Sequence, residues 1–320
     1  MKRILIVGCG DMAMRVARLL RSRYQLFGLV RNPLHHEKLR MAGIVPLIGD
    51  LDDPHSLERI SGLSHIVLHF APPAAEGRYF IDDTRTRNLI AALSHGTLPQ
   101  RLIYISTSGV YGDCNSEVVA ETRPTHAHNA RAKRRLDAEN KIRNWAKRSG
   151  IHTSILRVPG IYAAERLPLE RLHKGTPAII AAEDGYTNHI HADDLASIII
   201  AALRYAKPNR IYHATDDYHM KMGDYFDAVA DAFHLPHPPR VTRAEAQNVL
   251  SPALLSFMNE SRRLTNTRMK KELKVKLRYP TVAHALKEIS LAEIRPHDSA
   301  ESTPPVCASP RQTQLPLPLF

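Results

Sequence analysis

Gly8 and Gly10 stand at the end of the apolar run Ile4-Leu-Ile-Val7, just ahead of Met12, Val16, Leu19 and Leu20 at helical spacing. That order is strand, glycine turn, helix N-terminus, and the chemistry it offers is anion binding. Gly8 permits a tight turn, Gly10 lets the backbone approach a pyrophosphate, and Ala13 allows close helix–strand packing. The backbone N–H groups of Asp11, Met12 and Ala13, at the positive end of a helix dipole, favour a phosphate. The spacing predicts a dinucleotide site.

Arg31 lies 31 − 8 = 23 positions past the first glycine, at the end of a second apolar run. An acidic residue there accepts hydrogen bonds from a free ribose 2′-hydroxyl, whereas an arginine suits a 2′-phosphate. His35, His36 and Lys38 add positive potential nearby. The sequence therefore favours NADP as cofactor, with NAD the alternative and a solvated loop arginine the plain reading of Arg31.

The elements that must position these groups follow from periodicity. Strands are expected over 25–30, 44–48, 65–71, 101–106 and 152–157. Helices are expected over 34–42, 54–60, 79–93 and 130–149. This alternation implies an α/β fold, a Rossmann-type doubly wound parallel sheet. Beyond Gly160 the rhythm loosens into a small, mostly helical lobe. A strand over 210–214 returns to the sheet, and Asp193-Asp194 opens a helix. The expected division is 1–160 for the dinucleotide, 161–291 for a substrate lobe, and 292–320 for a Ser/Thr/Pro-rich disordered tail.

The 320 residues carry 44 basic and 32 acidic side chains, a net charge of +12, with 18 histidines besides. Such a balance suits an anionic partner. Cys9, Cys114 and Cys307 lack paired or metal-ligand spacing, which suggests reduced thiols in a cytoplasmic protein. No apolar run reaches the roughly 18 residues of a membrane span. The N-terminal run, broken by glycines and Asp11, is a poor signal peptide.

Ser106-Thr-Ser-Gly-Val-Tyr-Gly112 resembles the Ser-Ser/Thr-x-x-Val-Tyr-Gly signature of extended short-chain dehydrogenases/reductases, the epimerase/dehydratase group. The glycine turn, Gly49-Asp-Leu51, Glu121-Thr122 with Pro124, Leu156-Arg157 with Tyr162, and His189-Ile-His-Ala-Asp-Asp-Leu195 match in order. The resemblance implies that Asp50 and Leu51 border the adenine and that the Ala71 and Pro72 backbone runs along the cofactor. It likewise places Pro159 near the nicotinamide, with Thr107 bonding a substrate oxygen. In that family a Tyr-x-x-x-Lys pair follows on the next helix. The lysine is matched by Lys133, but the tyrosine position, 22 residues after Thr107, holds Asn129, and an amide cannot act as a general base.

Three readings stand at this point. The protein is an oxidoreductase, epimerase or dehydratase acting on a carbonyl, carbinol or nucleotide-sugar substrate with another base, His126, His128, Tyr111 and Tyr162 being candidates. Or it binds the dinucleotide without turnover, as a sensor or scaffold. Or Lys133 belongs only to a basic helix face with Arg131, Arg134 and Arg135. For an anionic small-molecule substrate the candidate receivers are Arg166, Arg171 and Lys174, with Asn188, His189 and His191. A metal on the two histidines is disfavoured, since alternation on a strand explains them. Family analogy suggests a homodimer. The terminal Gln314-Leu-Pro-Leu-Pro-Leu-Phe320 resembles peptides that dock bacterial proteins on the DNA polymerase sliding clamp.

Overall fold

The computed structural model describes residues 1–74 and 81–294, apart from the side chains of residues 252, 253, 257 and 292–294. The tail, its Gln314–Phe320 motif and the expected helix start at Tyr79 lie outside the described residues. Seven parallel strands form the central sheet: β1 (Lys2–Val7), β2 (Tyr24–Val30), β3 (Ile44–Ile48), β4 (Ile66–His69), β5 (Arg101–Thr107), β6 (His152–Val158) and β7 (Arg210–His213). Their spatial order is β7-β6-β5-β4-β1-β2-β3, which reverses direction between β1 and β4. In such sheets ligands bind outside the carboxyl ends of the strands at that reversal.

The helices are α1 (Asp11–Leu20), α2 (His36–Met41), α3 (Thr84–Ser94), α4 (Ala130–Ser149), α5 (Leu169–His173) and α6 (Ala192–Tyr205). They continue with α7 (Met222–Ala232), α8 (Arg243–Val249), α9 (Pro252–Met258), α10 (Thr267–Leu273) and α11 (Val282–Ile294). Side chains of β1 alternate between two cores. Ile4 and Ile6 pack with Val16 of α1 and Leu195, Ile198 and Ile199 of α6. Leu5 and Val7 pack with Leu89 and Leu93 of α3 and Ile142 and Trp145 of α4. Burial on both faces is why these strands read as unbroken apolar runs. A third core joins Tyr162, Leu172, Phe226, Val229, Tyr279, Val282 and Leu286 around α7 and α11.

Within the described residues α3 starts later than the expected 79, at Thr84, because Asp83 caps it by accepting the Thr86 N–H at 3.3 Å. The 189–191 strand is not part of the main sheet. It pairs in parallel with Gly160–Tyr162 as a separate two-stranded ribbon.

Asp194, in the first turn of α6, ties the third core to the sheet. Its two carboxylate oxygens accept the backbone N–H groups of Arg278 and Tyr279, each at 2.8 Å. A buried donor left unpaired costs about 1–3 kcal/mol. Asp194→Ala is therefore expected to lower the urea-unfolding free energy by about 2–4 kcal/mol, and a loss below about 1 kcal/mol would contradict this role.

Candidate functional site

The first cleft, 480 Å³ in volume, runs along the carboxyl ends of β1, β2 and β4 and the turn after β3. Gly8, Cys9, Gly10, Arg31, Asp50, Leu51, Ala71 and Pro72 are among its walls. Gly8 adopts φ +96°, and a Cβ there would lie 2.4 Å from the Ala71 nitrogen, so only glycine fits. The same approach is held by Val7 O, which accepts from Phe70 N and Ala71 N at 2.7 and 2.9 Å. Gly10 caps α1, and a Cβ there would meet nothing within 4 Å. The backbone thus leaves open space where a pyrophosphate would approach the first turn; Ala13 N–H is taken by Gly10 O at 3.1 Å, so Asp11 and Met12 are the residues whose N–H groups would meet it.

Met12 and Ala13 turn their side chains into the core and can reach a ligand only through the backbone. The Asp11 carboxylate is engaged elsewhere, by Arg15 at 3.1 Å and Arg166 at 3.1 Å. Arg15 also pairs with Asp193 and Glu165. Cys9 donates to Ile6 O and Leu29 O, each at 3.6 Å, and burial pushes its thiol up to about 12, so it is an inert filler of the turn. At the far end Arg31, Asn32 and His35 stand opposite Asp50 and Leu51. There Arg85, a wall residue that sequence reasoning missed, forks onto Asp52 at 2.9 and 2.6 Å and donates to Pro72 O at 3.2 Å.

A second cavity, of 330 Å³, lies farther along the same edge at the ends of β5 and β6. Thr107, Arg131, Pro159, Tyr162, His189, Tyr225, Glu260 and Arg262 are among its walls. Thr107 Oγ1 accepts the Gly109 N–H at 3.1 Å, which leaves its own proton to donate. His189 stacks on Tyr225 with ring centroids 4.3 Å apart, and complete burial lowers its pKa to about 3. Burial raises the phenols of Tyr162 and Tyr225 well above the ordinary tyrosine value.

The expected lysine is not brought to this edge. Lys133 is exposed and lines neither cavity. Asn129 caps α4, its Oδ1 accepting Ala132 N at 2.8 Å and its Nδ2 donating to Glu260 at 3.1 Å. The spacing-four pair that does face the strand ends is Arg131 and Arg135. Arg135 donates to Ile105 O at 2.8 Å, to the Tyr104 hydroxyl at 3.1 Å and to Ala71 O at 3.5 Å. Asn129 stands one turn before Lys133 and its carbonyl accepts the Lys133 N–H at 3.0 Å, while its side chain is spent on the cap and on Glu260.

Of the other candidate bases, Tyr111 is locked in the core by His213 and Arg157, each at 2.7 Å, and burial raises it to about 12. His126 and His128 line neither cavity. The three cations among the expected anion receivers line neither cavity. Arg166 pairs with Asp11, Arg171 lies over the Phe226 ring, and Lys174 pairs with Glu170 on the surface. Asn188 does line the cavity, but its side-chain amide holds Arg262 O and Leu264 N. His191 caps α6. Among the described residues no cluster of three His, Cys, Asp or Glu side chains is placed to hold a metal, and no helix is long and apolar enough to cross a membrane.

A model of the NAD dependent epimerase/dehydratase family matches residues 10–214. No curated protein matches the chain. Among solved structures, a conserved protein of unknown function from Silicibacter pomeroyi is 27% identical, with a TM-score of 0.76 over 92% of this chain and 99% of that one. UDP-glucose 4-epimerase from Thermotoga maritima, determined with UDP-glucose, is 16% identical (TM-score 0.74, 91% and 98% covered). A variant of UDP-glucuronic acid 4-epimerase from Bacillus cereus, in complex with NAD and a fluorinated UDP-sugar, is 17% identical (TM-score 0.72, 92% and 100% covered). For the last two the likeness is one of fold.

Behind His189 sits Asp216, whose N–H donates to His189 O at 2.8 Å. Burial pushes its carboxyl up to about 8, with Asp217 and Asp194 adding and the Tyr218 N–H opposing. The unfolded value near 3.8 is lower, so the folded chain keeps a proton that the unfolded chain loses. This group's contribution to stability therefore falls as pH rises from about 4 to 8. Asp216→Asn, which mimics the protonated acid, is expected to flatten the decline in Tm between pH 5 and about 8. Parallel declines in variant and wild type would refute the assignment.

Proposed function

The chain belongs to the NAD-dependent epimerase/dehydratase family, and on that premise we propose that it holds NADP(H) along the strand ends and acts on a small substrate in the adjoining cavity. NAD(H) is the weaker alternative. The observation that carries the reading is the succession of two cavities on one sheet edge. The first is walled by the glycine turn and Arg31, the second by Thr107 and Pro159. A bound nicotinamide supplies hydride exchange at a carbon held beside it. The substrate is a carbonyl, a carbinol or a nucleotide sugar, the last being the class named for two structural neighbours.

The chain's own part is to seat the phosphates on the α1 N-terminus, to border the adenine with Asp50 and Leu51, and to donate from Thr107 to a substrate oxygen. Arg135, rather than Lys133, is the cation at the seam between the two cavities. The reaction would run with an atypical active site. A second reading, binding without turnover, is favoured by Arg131 standing on the substrate cavity, because a guanidinium does not give up its proton near neutral pH. Residues 1–160 serve the cofactor and 161–291 the substrate, in a cytoplasmic protein paired as a homodimer. The Gln314–Phe320 stretch is read as a docking peptide for the sliding clamp.

Gly10→Ala adds a methyl group to open space. It is expected to leave Tm unchanged and to weaken NADPH binding at least tenfold by calorimetry. Arg31→Ala is expected to cost about tenfold in NADPH affinity, roughly 1.4 kcal/mol, with NADH affinity unaffected. Equal losses for both cofactors would remove the 2′-phosphate role. For the tail, a labelled 310–320 peptide titrated on a sliding clamp is expected to saturate in fluorescence polarisation. No saturable binding up to about 100 μM removes that partner.

A further inference from the structure

We infer that the groove between α1 and α2 is a docking site for an acidic, amphipathic segment of a partner protein. The groove shares no wall residue with either cavity of the candidate site, so the inference stands apart from the function proposed for them.

Exposed apolar surface is the first ground. The groove is 570 Å³ in volume, and Met14, Leu34, Met41 and Ala42 are its apolar walls. Leu34 is 85% exposed, more than any other large apolar side chain among the described residues, and Met41 is 78% exposed. Apolar residues scattered singly over a surface are ordinary, but two so open on one groove mark a contact. The local structure keeps them there. Asn32 Oδ1 accepts the Leu34 N–H at 2.9 Å and fixes the turn into α2, and α2 commits one residue, Leu39, to the core. The two methionines suit an apolar anchor of irregular shape, because an unbranched thioether repacks easily.

Charge is the second ground. The charged walls are Arg18, Arg21 and Lys38 against Glu37. Among the described residues none of the three cations has an ion-pair or hydrogen-bond partner for its side chain. Arg15, one turn before Arg18 on α1, differs sharply, being held by Asp11, Asp193 and Glu165. Cations left open beside exposed apolar groups are answered by a ligand bringing carboxylates and apolar anchors together.

That pairing decides among occupants. A second copy docked by a two-fold axis would set the same cations against each other. A nucleic acid would answer the cations with phosphates but leave Leu34 and Met41 uncovered. An amphipathic acidic helix laid in the groove answers both, its apolar side chains meeting Leu34 and Met41 and its carboxylates meeting Arg18, Arg21 and Lys38.

The test is fluorescence polarisation of the full chain with a labelled peptide of about four helical turns, leucines along one face and glutamates elsewhere. The expected Kd is below about 100 μM at low salt, rising severalfold as salt screens the pairing. A version with glutamine for every glutamate is expected to bind roughly tenfold more weakly. Leu34→Asp is expected to cost roughly tenfold, and the double variant Arg18→Gln, Arg21→Gln roughly fivefold. Both are expected to keep wild-type Tm, since the three side chains are exposed. A Kd above about 100 μM, or equal binding by Leu34→Asp, would overturn the inference. So would duplex DNA or phosphatidylglycerol vesicles that displace the peptide and bind more tightly than it does. A fall in sedimentation mass on Leu34→Asp would make the groove a self-contact, and would overturn it too.

Discussion

The rotation of α4 about its own axis is set by a buried carboxylate, and the layout of both cavities depends on it. Glu139 is 1% exposed. It receives Arg157 through two bonds, at 3.1 and 2.7 Å, and the Ser106 hydroxyl at 2.5 Å. Arg157 also donates to the Tyr111 hydroxyl, which meets His213 Nε2 at 2.7 Å, and His213 Nδ1 meets Thr265 O at 2.9 Å. One polar chain therefore links α4 to β5, β6, β7 and the segment before α10. Removing one partner of such a buried pair leaves the other charge uncompensated, at a cost of about 3–5 kcal/mol. That is enough to hold the helix in a single register.

Once Glu139 faces the sheet, the residues four and eight positions before it are Arg135 and Arg131. They step back along the same face toward the helix N-terminus. Lys133 is two positions from Arg135, about 200° round the helix, and must point away. Lys133 accordingly is exposed and lines neither cavity. A guanidinium occupies the seam instead, bonded to carbonyls on both sides of it. The chemistry open to this site follows from a helix register fixed some ten Å of helix away from it.

The sheet was legible because its strands are buried on both faces, and the glycine turn because φ +96° at Gly8 tolerates no side chain. Strand ends moved by a few residues where capping or pairing decided them. The helix at the candidate site, α4, was harder. Counting 22 residues from Thr107 crosses a loop whose length nothing in the local pattern fixes, and the count came to rest on a cap residue. Glu260 and Arg262 carried no local signal at all. They meet Asn129 and Gly112 across more than a hundred residues of chain, and only the packing of the C-terminal segments brings them there. Arg166, Arg171 and Lys174 were conspicuous as a basic cluster but line neither cavity: Arg166 pairs with Asp11 and Lys174 with Glu170, while Arg171 lies over the Phe226 ring with Nε and Nη1 buried and unpartnered.

Much of the chain's positive charge is used in holding elements together. Where each cation has an acid within reach, as Arg15 has Asp11, Asp193 and Glu165, the charge fastens one element to another and little field remains for a ligand. At the Asp50 end of the first cleft Arg85 is likewise matched by Asp52. In the second cavity Glu260 is likewise held between Asn129 Nδ2 and Arg262 Nη1, which joins the start of α4 to the C-terminal segments. Net charge then contributes mainly to the rate of encounter with anionic partners. The buried Glu139–Arg157 pair fixes the helix whose N-terminus makes that junction.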